Sequence, residues 1–133
     1  MIPVPSALAI SPRAGLRLAA RLWSTPAPRG IVVIAHGHGE HGGCYAEFAR
    51  AVGSTLPVDV LAFDFRGHGL STGRRGVIGR YDDLLDDLEA WIGWAGRERR
   101  GLPVVVLGHS NGGLAAIRPA SAMASGPCRS IPK

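Results

Sequence analysis

Three short apolar runs rich in β-branched side chains constrain the fold of this chain more than any other feature. They occupy residues 30–36, 58–63 and 104–107. Runs of this length and composition are typical of strands that are covered on both faces, as in a parallel sheet. The sequence therefore predicts three buried strands.

Helical patterns separate these runs. Apolar side chains in residues 44–52 fall on one helical stripe, and between Tyr81 and Arg100 they recur every three or four residues. The second segment has aspartates in its first turn and arginines in its last, which matches the helix dipole at both ends. Residues 16–23 alternate in polarity and predict an exposed strand. The order of these elements predicts an α/β fold with a parallel sheet and right-handed crossovers.

The net charge of +5 raises the question of a nucleic-acid partner. Three of the cationic residues, Arg118, Arg129 and Lys133, lie after residue 117, and aromatic side chains are not interleaved with the arginine clusters. Binding to nucleic acid is favoured by a basic face or stripe on the surface. We therefore predict no nucleic-acid partner and assign these charges to solvated surface and a helix C-terminus.

Signals of export or membrane insertion are weak in this sequence. No apolar run approaches the roughly 18 residues that a membrane-spanning helix needs, and residues 1–10 carry no basic leader. The two cysteines, Cys44 and Cys128, are too few for a disulfide framework, and we expect free thiols. These features predict a cytoplasmic protein without a transmembrane segment.

Residues 108–112, Gly-His-Ser-Asn-Gly, match the Gly-x-Ser-x-Gly pattern of a nucleophile elbow. A serine at a sharp strand-to-helix turn needs a very small residue two positions before and after it, because a Cβ there collides with the neighbouring strand or helix. Gly108 and Gly112 meet this need. A helix after the turn points unpaired N–H groups toward negative charge that develops beside the serine. We predict that Ser110 is a catalytic nucleophile.

Residues 36–43, His-Gly-His-Gly-Glu-His-Gly-Gly, are open to three interpretations. Gly37, Gly39 and Gly42 have the spacing of a dinucleotide-binding fingerprint, with Asp64 about twenty residues further on at the end of the next strand. A His-Gly turn after a strand is also typical of an oxyanion-hole loop, whose backbone N–H groups approach the substrate closely.

The third interpretation is a metal site at His36, His38 and His41. Such a site needs further ligands, and His68 and His109 are the only other histidines. A dinucleotide site leaves the serine elbow unexplained and places a carboxylate beside the pyrophosphate. Only the oxyanion-hole interpretation uses both glycine turns in one site, and we favour it, with the dinucleotide site as an alternative.

Three segments together resemble one known family. They are HGHGEH at residues 36–41 followed by Tyr45, DFRGHGLSTG at residues 64–73, and GHSNGG at residues 108–113. In order and spacing this set is similar to the monoacylglycerol lipase and lysophospholipase branch of the α/β-hydrolase superfamily, a group of serine aminopeptidase-like hydrolase domains. The resemblance extends over residues 15–117.

The resemblance implies a parallel-sheet α/β-hydrolase fold and a serine hydrolase that acts on carboxylic esters of the monoacylglycerol or lysophospholipid type. Ser110 would be the nucleophile, and the backbone N–H groups of His38 and Asn111 would form the oxyanion hole. No cofactor and no metal are implied, and the substrate would be a small, lipid-like ester. Asp64 and Arg66 would shape the second loop. Peptidase, thioesterase and acyltransferase activities stay open, whereas dehalogenases and epoxide hydrolases use a carboxylate nucleophile.

The histidines of these segments other than His38 and His109 are expected to be hydrogen-bonded loop residues without a catalytic role. They are His36, His41 and His68.

One departure from the family pattern concerns the triad acid and base, which follow the serine in chain order in this superfamily. No Asp, Glu or His follows Ser110, and an unassisted serine is a weak nucleophile. His109 is adjacent, but neighbouring side chains on a tight turn diverge. We assign the acidic residues near the start of the long helix to solvent and the helix dipole: Asp82, Asp83, Asp86 and Asp87. The triad acid and base therefore stay unknown, and we expect an inactive or weakly active chain.

The sequence changes character near residue 118. Leu114 begins a helix that we expect Pro119 to end after little more than one turn, and residues 119–133 predict an irregular, disordered tail. Residues 1–118 are then the N-terminal part of a hydrolase domain, truncated after the nucleophile elbow. We hypothesise that a premature stop, a frameshift or a split reading frame accounts for this.

The alternative function is a non-catalytic hydrolase fragment, or an assembly module that needs a separately encoded C-terminal half. If the chain exists alone, the strand that begins at Val104 is expected to be a bare apolar edge. Such an edge favours pairing with a complementary half or self-association.

Overall fold

A computed structural model of the chain describes residues 4–124, with side chains described as far as residue 117. This part contains five strands, three α-helices and a 3₁₀ turn at Gly42–Tyr45. The strands are β1 (Ser6–Arg13), β2 (Leu16–Trp23), β3 (Ile31–Ala35), β4 (Asp59–Phe63) and β5 (Val104–Gly108). The helices are α1 (Ala46–Thr55), α2 (Tyr81–Glu98) and α3 (Asn111–Ala124).

The strands form one sheet in the order β1-β2-β4-β3-β5. Strand β3 lies parallel to both β4 and β5, with Val33 opposite Leu61 on one side and Val106 on the other. This confirms the parallel sheet predicted from the three apolar runs. The β1-β2 hairpin adds two antiparallel pairings at the other side, so the sheet as a whole is mixed.

Both faces of the sheet are covered. On one face, Val33 and Phe63 belong to a buried cluster with Leu88 and Trp91 of α2 and Ala115 of α3. On the opposite face, Ile34, Val60 and Ala62 pack with Trp23 and with Ala49 of α1. Alternate side chains of each central strand therefore enter opposite clusters, which is why β3 and β4 read as continuous apolar runs.

The N-terminal hairpin departs from the sequence prediction. Strand β2 was expected to be exposed, but it lies between β1 and β4, and Leu18 and Trp23 are almost fully buried. Strand β1 was not predicted. It covers an edge of the sheet that β2 would otherwise present to solvent.

Strand β5 is the last strand of the sheet on the other side, within the part of the chain that the structure describes. Its Val105 is 56% exposed and its Leu107 is 37% exposed. The prediction that this strand is buried like the other two is therefore wrong. The bare apolar edge expected for a chain that exists alone is present in the described residues.

Helix α3 continues through Pro119 to Ala124, so the prediction that Pro119 ends it is wrong. The fixed φ of proline is itself helical, and a proline inside a helix removes one backbone hydrogen bond without dictating a stop. The disordered tail was predicted for residues 119–133, of which 125–133 lie outside the described residues. The thiol of Cys44 is exposed and free, and Cys128 lies outside the described part. Among the helices of residues 4–124, none combines the length and apolar character needed to span a bilayer.

Candidate active site

The turn between β5 and α3 consists of two residues, His109 and Ser110. Ser110 adopts φ +55°, in the left-handed region that side chains other than glycine rarely occupy. Its side chain is exposed. Backbone strain of this kind at a polar residue between a strand and a helix is typical of functional sites.

The two glycines of the elbow, residues 108–112, are required by close backbone contacts. A Cβ on Gly112 would lie 2.0 Å from the carbonyl oxygen of Ala35, and a Cβ on Gly108 would lie 2.5 Å from the carbonyl oxygen of Gly112. Atoms cannot approach so closely. Both positions therefore require glycine, as predicted from the sequence.

Backbone hydrogen bonds fix the elbow against β3 and start the helix. The N–H of His109 donates to the carbonyl of Ala35 at 3.0 Å. The N–H of Gly112 donates to the carbonyl of His109, and that of Leu114 donates to the carbonyl of Ser110, both at 3.0 Å. Asn111 is the first residue of α3, and the N–H groups of the first turn have no partner within the helix. They lend partial positive charge to the space beside Ser110.

The His-Gly loop, residues 36–41, follows β3 and is held by its own hydrogen bonds. The Gly37 N–H donates to Oε1 of Glu40 at 2.7 Å, and the Glu40 N–H donates back to the carbonyl of Gly37 at 3.1 Å. The Gly39 N–H donates to Nε2 of His68 at 3.2 Å. The N–H of His38 lies between these bonded amides and donates to no acceptor within residues 4–124.

The His-Gly loop and the elbow lie against each other at the carboxyl ends of two adjacent parallel strands. A Cβ on Gly37 would lie 3.3 Å from the Cβ of Ser110 and 3.0 Å from Nδ1 of His109. Nδ1 of His109 also lies 2.9 Å from Oε1 of Glu40. The structure thus brings together the two glycine turns that the sequence analysis assigned to one site.

Three histidines serve as hydrogen-bonded loop residues, as predicted. His36 is buried, accepts from the N–H of Phe65 at Nε2 (3.0 Å), and bonds the carbonyl of Gly37 through Nδ1 (2.7 Å). Burial lowers the pKa of His36, which favours the neutral ring that these bonds require. His68 accepts from the Gly39 N–H, and His41 accepts from the Gly43 N–H at 3.1 Å.

The metal-site interpretation finds no support in the described residues. Within residues 4–124, no three His, Cys, Asp or Glu side chains are grouped closely enough to hold a metal ion.

Asp64 shapes the second loop, as the resemblance implied. Its carboxylate is fully buried and accepts from the N–H groups of Gly42 at 2.7 Å and Leu70 at 2.9 Å, with Arg21 at 3.6 Å. In a dinucleotide site this carboxylate would have to be free to bind a ribose. The residues at Gly42 would have to begin a helix whose N-terminus faces the phosphates. Because Asp64 and Gly42 bond each other, the geometry does not fit that interpretation.

Asp87 was assigned to solvent, and this assignment is wrong. The side chain is almost fully buried and accepts from the backbone N–H of Arg66 at 2.9 Å and from its Nη2 at 2.7 Å. Burial raises the pKa of Asp87, and the bonds from Arg66 oppose this rise. The available signal was position, because Asp87 falls on the same helical stripe as Leu84, Leu88 and Trp91.

Glu40 and Tyr45 also belong to the site, although the sequence does not indicate this. The phenol of Tyr45 donates to Oε1 of Glu40 at 3.1 Å. Tyr45 was noted only as part of a resembling segment, and Glu40 only as a carboxylate unfavourable for a pyrophosphate. Their partner His109 is distant in sequence, so no local pattern indicates the contact.

The chain matches a known family model and is similar in sequence to proteins of known activity. The family model described as serine aminopeptidase, S33, matches residues 26–129, more than half of the chain. The chain is 39% identical over 100 residues to the monoacylglycerol lipase of Mycolicibacterium smegmatis, covering 74% of this chain and 35% of that protein. It is 38% identical over 104 residues to the monoglyceride lipase of Homo sapiens, covering 77% and 34%. The chain therefore spans about a third of the length of these relatives.

Solved structures of monoglyceride and monoacylglycerol lipases are also similar to this chain. A soluble variant of the monoglyceride lipase of Saccharomyces cerevisiae, in complex with a substrate analog, superposes with a TM-score of 0.76 at 27% identity, covering 88% of this chain and 39% of that chain. The monoacylglycerol lipase of Paleococcus ferrophilus superposes with a TM-score of 0.66 at 34% identity, covering 81% and 39%. The fold of the described residues is that of the α/β-hydrolase neighbours.

Proposed function

This chain belongs to the serine aminopeptidase, S33, family of α/β-hydrolases, and on that premise we propose that it supplies the nucleophile and the oxyanion hole of a serine ester hydrolase. The observation that carries the proposal is the exposed Ser110, held at φ +55° between β5 and α3 with the His-Gly loop beside it. This is the arrangement that a nucleophile elbow requires.

In the proposed reaction the Oγ of Ser110 attacks the carbonyl carbon of an ester, its hydroxyl proton passes to solvent water, and the carbonyl oxygen becomes an alkoxide. The N–H groups of His38 and Asn111 stabilise that negative charge, and the positive end of α3 adds to the effect. Collapse of the intermediate breaks the bond to the leaving alkoxide, which takes a proton from solvent water and departs as the alcohol. Water then attacks the acyl group left on Ser110, releases it as the carboxylic acid and restores the hydroxyl. No cofactor or metal takes part in this scheme.

The substrate class is proposed from the relatives. The relatives with the highest identities quoted above are monoacylglycerol and monoglyceride lipases, and a phospholipase of Bacillus subtilis is 38% identical over 98 residues. We propose small carboxylic esters with one acyl chain, of the monoacylglycerol or lysophospholipid type, as substrates. We also propose a cytoplasmic location, which rests on the sequence analysis alone.

The activity of the chain by itself is expected to be weak. Serine needs an adjacent base, and no Asp, Glu or His follows Ser110. Removing triad members typically costs several orders of magnitude in rate, while the oxyanion hole and substrate binding retain a residual catalysis.

Covalent labelling tests the assignment of the nucleophile. The purified chain is incubated with a fluorophosphonate probe, and the modified residue is located by peptide mass spectrometry. We expect slow modification of Ser110, none at that peptide in Ser110→Ala, and an unchanged rate in Ser54→Ala, which removes an exposed helical serine. Modification spread over several serines at equal rates would count against a dedicated nucleophile.

A second candidate function is a module that is catalytically silent until a separately encoded C-terminal half binds. The exposed apolar edge of β5 favours this candidate. The test adds the separately expressed remainder of the Mycolicibacterium smegmatis relative and follows hydrolysis of a p-nitrophenyl ester. A rise in rate that depends on Ser110 supports an enzyme assembled from two parts. Binding without such a rise supports a purely structural module.

A further inference from the structure

One carboxylate oxygen connects three segments around the elbow. Oε1 of Glu40 accepts from the Gly37 N–H at 2.7 Å, from Nδ1 of His109 at 2.9 Å and from the phenol of Tyr45 at 3.1 Å. An ionised carboxylate accepts hydrogen bonds and donates none, so Nδ1 of His109 carries the proton in this contact. The donors belong to the His-Gly loop, the elbow and the 3₁₀ turn that precedes α1.

The first consequence concerns the amide of His38. The Gly37 N–H is bonded by the Glu40 side chain, and the Glu40 N–H is bonded by the carbonyl of Gly37, so the turn is closed in both directions. The Gly39 N–H is bonded by His68. The His38 N–H shares a planar peptide unit with the Gly37 carbonyl, which is bonded by the Glu40 N–H and by Nδ1 of His36, so the direction of the His38 N–H is fixed.

The second consequence concerns the elbow. His109 immediately precedes Ser110, and its own N–H is already bonded to the carbonyl of Ala35. The ring contact with Glu40 adds a side-chain link between elbow and loop to this backbone link. The space between them is narrow, because a Cβ on Gly37 would lie 2.7 Å from Oε1 of Glu40 and 3.3 Å from the Cβ of Ser110.

The pKa shifts of Glu40 and Tyr45 agree with these roles. The hydrogen bond from His109 lowers the pKa of Glu40, so its carboxylate is ionised at neutral pH. Burial and the nearby Glu40 raise the pKa of Tyr45 to about 12, so its phenol remains a donor. Three donors on one oxygen also offset a negative charge that would otherwise oppose an alkoxide nearby.

We propose that Glu40 is a positioning residue for the ester hydrolase: it holds the His-Gly loop against the elbow and so sets the separation between the His38 N–H and the Ser110 hydroxyl. The proposal rests on the proposed function. Glu40 acts through Gly37 and His109 and does not itself contact the substrate. Its part is therefore distinct from that of a triad acid, which orients the base.

The reactivity test compares fluorophosphonate labelling rates of Ser110 per folded molecule, with the Ser110→Ala background subtracted. Glu40→Ala removes the acceptor. We expect its labelling rate to be at most about a tenth of that of the unchanged chain, because a displaced oxyanion donor loses most of its effect. Glu40→Gln keeps an amide oxygen as acceptor, and we expect a rate within about threefold of the unchanged chain. The matched control Glu47→Ala removes an exposed glutamate in the first turn of α1 and is expected to change nothing.

Coupling between the partners is measured with His109→Ala and the double variant. If Glu40 acts through His109, the double variant is no slower than the slower single variant. Fully additive losses, a Glu40→Ala rate equal to that of the unchanged chain, or a Glu40→Gln rate as low as that of Glu40→Ala would each overturn the proposal. The proposal would also be overturned if His109→Ala abolished labelling of Ser110 while Glu40→Ala kept a tenth or more of the labelling rate. His109 would then be the base.

An NMR readout separates this proposal from the proposed function. If the unchanged chain labels no faster than Ser110→Ala, the proposal that Ser110 acts as a nucleophile in this chain alone fails, and the positioning role is judged from spectra alone. We then expect Glu40→Ala to move the amide signals of Gly37 and His38 and to remove the Nδ1-protonated signature of the His109 ring, whereas Glu47→Ala moves neither. Unchanged spectra in Glu40→Ala would overturn the positioning role even if labelling succeeded.

Discussion

The elbow shows how much a single missing Cβ can decide at the scale of one residue. Gly112 sits inside α3, where glycine is ordinarily unfavourable, yet a Cβ there would lie 2.0 Å from the Ala35 carbonyl oxygen. We expect Gly112→Ala to lower the free energy of unfolding by about 3 kcal/mol or to prevent folding. Urea denaturation followed by circular dichroism measures this.

Gly96 provides the matched control for that substitution. It also lies within a helix, α2, and a Cβ there meets nothing within 4 Å. Gly96→Ala is therefore expected to raise the free energy of unfolding by roughly 0.5–1 kcal/mol, because alanine loses less backbone entropy on folding. Equal effects of the two substitutions would mean that the elbow is not tightly packed against β3.

His36 is expected to make the stability of the chain depend on pH. Burial lowers its pKa from the ordinary value of 6.5, so between its folded pKa and 6.5 the unfolded chain binds more protons than the native chain. The stability contributed by the neutral ring is complete above about pH 6.5 and is lost as the pH falls through the folded pKa. Unfolding midpoints in urea at pH 7.5 and 5.5 should therefore differ, with the lower midpoint at pH 5.5.

The control for this pH effect is a histidine in the same loop. His36→Gln should reduce the difference between the two midpoints, and His38→Gln, at an exposed position, should preserve it. The ring of His68 lies beside that of His36 in a tilted arrangement, with ring centroids 5.1 Å apart. If both single variants kept the full difference between the urea midpoints at pH 7.5 and 5.5, the assignment of this pH effect to His36 would be contradicted.

At the scale of elements, the ion pair between Arg66 and Asp87 fastens the loop after β4 to α2. The Asp87 side chain is 1% exposed and that of Arg66 is 15% exposed, so removing one partner leaves a poorly solvated charge. Arg66 would keep Asp83 at 3.3 Å as a second partner, so we expect Asp87→Ala to lower the free energy of unfolding by about 1.5–3 kcal/mol. Asp86→Ala, at the exposed neighbouring position, should change it by less than about 0.5 kcal/mol. Urea titrations that give similar losses for both would show that the pair does not fasten the loop.

The elements differ in how much local sequence says about them. Strands β3 and β4 and helix α2 carry continuous or periodic apolar patterns, and the sequence predicts them. Strand β1 is largely exposed, and Pro12 and a bulge interrupt it, so its pattern is weak. The useful signal was Ala14-Gly15, because Arg13 pairs with Leu16 and leaves a two-residue hairpin turn with Gly15 at φ +78°.

Long-range contacts explain the remaining differences. The elbow is a local pattern, and its steric demands follow from five consecutive residues. The contact between Glu40 and His109 joins residues 69 positions apart, and Asp87 finds Arg66 across 21 positions. Side-chain pairs of this kind depend on which strands are neighbours, and local periodicity does not encode that order. The burial of β2 depends on strand order in the same way.

At the scale of the whole molecule, the outer edge of β5, which pairs with no further strand within residues 4–124, dominates the expected behaviour in solution. Val105 and Leu107 are exposed on this strand, and Leu114 and Ile117 are exposed on the helix that follows it. An apolar strand edge is a template for pairing with another chain. We therefore expect the chain to sediment as a mixture of oligomers at micromolar concentration.

A charge at the β5 edge tests this expectation directly. Val105→Lys should shift the sedimentation distribution toward the monomer, because pairing would bring a lysine of each copy into a shared apolar edge. Val4→Lys is the matched control, since Val4 is 86% exposed and precedes β1 at the opposite edge of the sheet. It adds the same charge and should leave the distribution unchanged. A monomeric unmodified chain with one sharp thermal transition would contradict the expectation, because the β5 edge would then be stable in water without a partner.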